Sequence, residues 1–180
     1  DDLDGALRNA LATGLSDVAL VARAVGARGR VLSGQADQLP ALFDAVRAMR
    51  DAADVRTLAF HVAAAAEAAL VCGADTGDLL TELESLADRA GPAHVAAHLR
   101  LCALDEWRRG TRRPDLLLRS AELARTVRND LETCRSLEAA ARIGLDDDMD
   151  ELRTLEARLG IQSVPLTLRW SLDAEARRYR

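Results

Sequence analysis

Residues 54–73, DVRTLAFHVAAAAEAALVCG, decide the fold. At 100° per residue Arg56, Thr57, His61 and Glu67 fall within an arc of roughly 140°, which leaves an apolar arc wider than a single neighbour can cover. The stretch reads as a central helix that needs partners on several sides. Asp54 is placed to cap the free amides of its first turn, and Gly73 can adopt the left-handed conformation that closes a helix.

The same closing glycine recurs at Gly34, Gly110 and Gly144, and each is followed by a similar apolar-periodic segment: QLPALFDAV, DLLTELESL, PDLLLRSAEL and MDELRTLEARL. The chain therefore divides into alternating helices. The first is expected over residues 2–13, the next from Ser16 or Asp17 towards Leu32, with Gly26 and Gly29 weakening its continuation. A third opens at Asp37 with Pro40 in its first turn and ends near Asp51. Beyond the central helix, Thr76 or Asp78 starts another. Pro92 and Pro114 suit first helical turns, and Asn129 with Asp130 marks a tight turn before the helix ending at Gly144. Asp146, Asp147, Asp148 and Asp150 precede one more helix, where their charge suits the helix dipole. The least regular stretch is IQSVPLTLRW, after which Ser171 or Asp173 can cap a short last helix.

A unit of two helices repeating every 34–39 residues cannot bury its own apolar face, so such units stack. The spacing predicts an all-α fold of stacked antiparallel helical hairpins over residues 1–165, with residues 166–180 as a C-terminal tail. Composition agrees, being rich in alanine, leucine and arginine with only two Trp, one Tyr and two Phe.

The pieces MRDAADVRTLAFHVAAAAEAALVCGAD and AELARTVRNDLETCRSLEAAARIGLDDD resemble tetratricopeptide (TPR) repeats, in particular those of large ATP-hydrolysing LuxR-type transcriptional regulators of GC-rich bacteria. The resemblance implies a TPR-like right-handed solenoid. It also implies a sensory or assembly region within a larger bacterial signalling or transcriptional regulator, with nucleotide-binding and DNA-binding modules elsewhere. The lack of an initiator methionine at Asp1 suggests a fragment or a processed product.

All 24 basic residues are arginine, so lysine-based Schiff-base chemistry and a phosphate-loop lysine are excluded within this sequence. The net charge of -5 disfavours direct nucleic-acid contact by this chain. Residues 1–90 hold 14 acids and 8 arginines, whereas residues 91–180 hold 15 acids and 16 arginines, which places an anionic partner nearer the second half. Cys72, Cys102 and Cys134 fit buried thiols in a reducing cytoplasm, and no signal-like or membrane-spanning apolar run is read. No catalytic centre, cofactor site or metal site is expected.

His94, His98 and Cys102, spaced by four on one helical face, are the arrangement nearest to a metal set. They would need a further ligand such as His61 or Cys72. Arg108, Arg109, Arg112, Arg113 and Arg119 form a basic cluster beside Gly110, open to an acidic partner or to service as a solvated inter-repeat turn. Trp107 is expected in the core, and Trp170 as a tail anchor or partner contact. The expected function is non-enzymatic binding of a protein partner or effector in the repeat groove; a self-associating scaffold forming a homo-oligomer and a metal- or small-ligand-binding helical domain are the alternatives.

Overall fold

The computed structural model describes residues 16–144 and 149–160, together with positions 5, 8, 9 and 12. Among the described residues there are eight long α-helices and no strands: α1 (Ser16–Leu32), α2 (Leu39–Met49), α3 (Val55–Cys72), α4 (Gly77–Ala90), α5 (Pro92–Arg108), α6 (Pro114–Thr126), α7 (Asp130–Arg142) and α8 (Met149–Leu159). The fold is all-α. Of the expected helix over residues 2–13 only positions 5, 8, 9 and 12 are described, and they are helical; the expected helix after Ser171, the tail 166–180, Asp146–Asp148 and Trp170 fall outside the described residues.

Local chemistry sets the helix ends. The Asp54 carboxylate accepts from Arg56 N at 2.9 Å and Thr57 N at 3.1 Å, and from the Thr57 hydroxyl at 2.7 Å. Those hydrogen bonds, the Thr57 hydroxyl first, hold its carboxyl below the usual range. Gly73 closes α3 at φ 68°, and the other three closing glycines are also left-handed, between 88° and 101°. Prolines stand in the first turns of α2, α5 and α6.

Three details differ from the sequence expectation. Helix α1 runs unbroken through Gly26 and Gly29, because Ala24, Ala27 and Val31 bury one side of it. Thr76 precedes α4 without capping it; its hydroxyl instead donates to buried Asp105 at 2.7 Å, and Asp75 Oδ1 accepts from Gly77 N. The turn before α7 is made by Arg128, a non-glycine at φ 55°, with Asn129 Oδ1 accepting from Glu132 N.

Every consecutive pair of helices packs together, and α1–α3, α3–α5 and α5–α7 also touch. The odd-numbered helices, which end in the recurring glycines, therefore form a contiguous row with the even-numbered helices packed alongside. One core runs through the array, including Val31, Leu42, Val62, Leu83, Leu101, Leu117, Leu137 and Leu152. Small residues let the helices approach: the fully buried Ser120 of α6 donates to Ala96 O of α5 at 2.7 Å and lies 2.8 Å from the Ser136 hydroxyl of α7. On the even-numbered side, Arg50 after α2 grips Glu82 of α4 with two 2.8 Å hydrogen bonds, and Arg125 of α6 pairs with Glu151 of α8.

Helix α3 is the slab its sequence implies, with eleven buried positions. Contrary to the reading that no apolar run reaches membrane-spanning length, it is long and apolar enough by length and composition to cross a membrane. Here its apolar breadth is covered by α1, α2, α4 and α5. Part of its polar arc is covered too: His61 and Glu67 are buried, whereas Arg56 is exposed.

Candidate functional site

Burial of Glu67 needs a compensating charge, and the odd-numbered helices supply it. Arg28 Nη2 of α1 donates to Glu67 Oε2 at 2.7 Å, and Arg100 Nη1 of α5 donates to Glu67 Oε1 at 3.3 Å. Arg100 also forks onto Glu132 of α7, Nε to Oε1 at 2.6 Å and Nη2 to Oε2 at 3.3 Å. Arg135 of α7 lies beyond, with Nη1 3.9 Å from Glu132 Oε2. The result is a row of alternating charge, Arg28–Glu67–Arg100–Glu132, with one member from each odd-numbered helix.

The row is dry enough for charges to act strongly on each other. Arg100 is 2% exposed. Burial by itself would raise the Glu67 carboxyl, but Arg100, Arg135 and Arg28 outweigh it and hold the group at about 2. Burial likewise opposes charge on Arg100, yet Glu132 and Glu67 overcome it and lift the guanidinium above its ordinary value. For Arg135 the balance goes the other way: burial lowers it, and Arg100 and Arg28 add repulsion against the opposing pull of Glu67 and Glu132. The cluster thus has three guanidiniums and two carboxylates.

Above the row lies a cleft of about 120 Å³ touched by all four odd-numbered helices. Its apolar walls include Ala63, Ala64, Ala93 and Ala97, with Phe60 and Leu131 at the rim, 51% and 41% exposed. Asn129 and His94 complete the polar lining. Burial, reinforced by Arg56 and opposed by Glu132, keeps His94 below its ordinary value, so at neutral pH it adds little charge. A larger cavity of about 250 Å³ between the starts of α1 and α3 is mainly apolar, with Asp17 and Asp54 at its edge. The carboxylate of Asp54 is already taken up in capping.

The sequence-level candidates are placed differently. Arg108 is turned inward, donating to Ala74 O at 2.6 Å and to Asp105 at 3.0 Å, and Arg109 pairs with the same carboxylate at 2.7 Å. With the Thr76 hydroxyl these contacts tie the α5 end to the α3–α4 turn. Arg113 pairs with Asp115 at the start of α6, whereas Arg112 and Arg119 are exposed. Two of the five arginines are thus tied to Asp105, one to Asp115, and two are exposed.

Of the three spaced residues on α5, His98 and Cys102 meet, Nε2 to Sγ at 3.1 Å, while His94 lines the cleft. No group of three His, Cys, Asp or Glu able to hold a metal is found among the described residues. Burial, with Glu84, Asp105 and Glu106, pushes the Cys102 thiol up to about 11. Of the three thiols only Cys134 is fully buried; Cys72 and Cys102 are half-buried, and Trp107 is half-buried against the core.

The cleft itself was not anticipated from the sequence. A signal was present: single charges at positions 28, 67, 100 and 132 recur at nearly the period of the closing glycines and alternate in sign. Comparison of the chain with family models, curated proteins and solved structures returns no match.

Proposed function

We propose that this chain is a non-enzymatic, TPR-like helical-repeat module, wound as a right-handed solenoid of antiparallel hairpins, that binds a partner or effector within a larger bacterial signalling or transcriptional regulator. The observation that carries this reading is the cleft of about 120 Å³ shared by four odd-numbered helices over a buried row of charge. A surface built by successive repeat units is the usual recognition surface of such arrays. A ligand seated there touches α1, α3, α5 and α7 together, so its binding biases how the units stack and hence how modules attached at either end are disposed.

A thermal-unfolding screen with defined sets of organic acids, amines, sugars and nucleotides tests the reading. A ligand selective for the folded chain raises the melting temperature in a dose-dependent way. A flat response across the sets, with a mass by light scattering that grows with protein concentration, favours the self-associating scaffold instead.

A further inference from the structure

We propose that the cleft is a subsite for an organic monoanion, a carboxylate borne on a compact apolar body, with Arg135 and Arg28 as its charge-reading groups. This deepens the reading of the cleft as a recognition surface and rests on it.

Three observations converge. The first is charge balance. Arg28, Arg100 and Arg135 face Glu67 and Glu132, and the excess at the cleft is one positive charge. A monoanion neutralises that excess. A dianionic phosphate would overshoot it beside two carboxylates, one of them held ionised far below neutral pH.

The second is the hydrogen-bond inventory. Arg100 is committed to both carboxylates. Arg135 is not: its guanidinium has the 3.9 Å approach to Glu132 and no hydrogen bond among the described residues. Arg28 Nε is buried and without a hydrogen-bond partner among the described residues. Both side chains line the cleft. The unpaired donors of Arg135 in this half-dry site favour an anionic acceptor, since charge-assisted hydrogen bonds there are stronger than neutral ones, and Arg28, whose Nε is buried, adds positive charge beside it.

The third is shape. A volume of about 120 Å³ lies below the range of whole drug-sized ligand pockets, about 300–1,000 Å³, so the cleft holds a small group. Phe60 and Leu131 offer an apolar edge on which a ring or short chain can lie while its carboxylate reaches inward.

Sodium benzoate is a suitable probe, with benzamide as its neutral counterpart and inorganic phosphate as the dianion. Amide chemical shifts are followed by NMR in the wild-type chain, in Arg135→Gln and in Arg47→Gln, the last on the far side of α2. The expected result is saturable shifts at Ala93, Ala97 and Leu131 with benzoate. Affinity should weaken about tenfold or more for Arg135→Gln and stay unchanged for Arg47→Gln. Benzamide and phosphate should bind at least about tenfold more weakly than benzoate to the wild-type chain, a comparison independent of whether any variant folds. Equal binding of benzamide, tighter binding of phosphate, or benzoate shifts confined to other surfaces would overturn the proposal. If benzoate fails but an amine or sugar shifts these same amides, the ligand class is wrong and the recognition surface stands. If no compound of any class perturbs them, both fall.

Discussion

Glu67 is the buried carboxylate at which two helices of the charged row meet. It is almost completely buried, and its carboxylate joins α1 to α5 through Arg28 and Arg100. Replacing it by Gln leaves Arg28 without its carboxylate and Arg100 with Glu132 alone, at a cost of about 3 kcal/mol, measurable as a lower urea midpoint. The pH dependence follows from the depressed carboxyl. A group moved from 4.5 down to about 2 contributes stability that is complete above pH 4.5 and lost as pH falls towards 2. His61, His94 and His98 are also depressed, each mainly by burial, so folding favours their neutral forms and stability begins to fall below their ordinary value of 6.5. Urea midpoints measured from pH 8 to pH 3 should therefore decline in two stages. Glu67→Gln should remove most of the lower stage, and His61→Leu part of the upper.

The residue scale is also where the sequence was least legible. Helical periodicity placed His61 and Glu67 on the polar arc of α3, but periodicity cannot say whether such an arc meets water or another helix. At Glu67 it meets α1 and α5, each bringing an arginine, while at Arg56 it meets water. The arginines around Gly110 were visible as a local cluster in the sequence, yet Asp105 and the carbonyl of Ala74 draw Arg108 inward. Long-range pairing of this kind leaves little trace in any short window.

At the scale of the element, the sequence was a good guide wherever backbone chemistry is local. A left-handed glycine and an aspartate that accepts first-turn amides are short-range devices, and α3 has both where its sequence puts them. They failed as guides where a tertiary contact competed, as when Thr76 turned to Asp105 and when buried alanines carried α1 through two glycines. Gly73→Ala tests the closing device cleanly. A Cβ there meets no atom within 4 Å, so the cost is backbone strain alone, about 1 kcal/mol at φ 68°. Asp54→Ala should also lower the melting temperature, by loss of the cap. The two sites lie at opposite ends of a helix roughly 27 Å long, so their effects should add in the double variant.

For the whole molecule, the recurring glycines found the odd-numbered row, because each helix of that row ends in one. Winding into a solenoid is a proposal about how those units follow one another. It makes a demand that a bundle folding only as a unit does not: a complete hairpin can be removed without destroying the rest. Deleting residues 74–110 takes out α4 and α5, and with them Arg100. In the shortened array Glu67 would then face Glu132, so the deletion alone should be less stable than the deletion carrying Glu132→Gln, by about 1 kcal/mol or more.

The decisive measurement is urea unfolding of that deletion with Glu132→Gln, followed by far-UV circular dichroism. Stacked hairpins predict a shortened chain that stays helical and unfolds cooperatively, with a smaller m-value in keeping with the surface removed. A chain without helical signal in buffer, or one that melts without a transition, would contradict the stacking on which the proposed function depends.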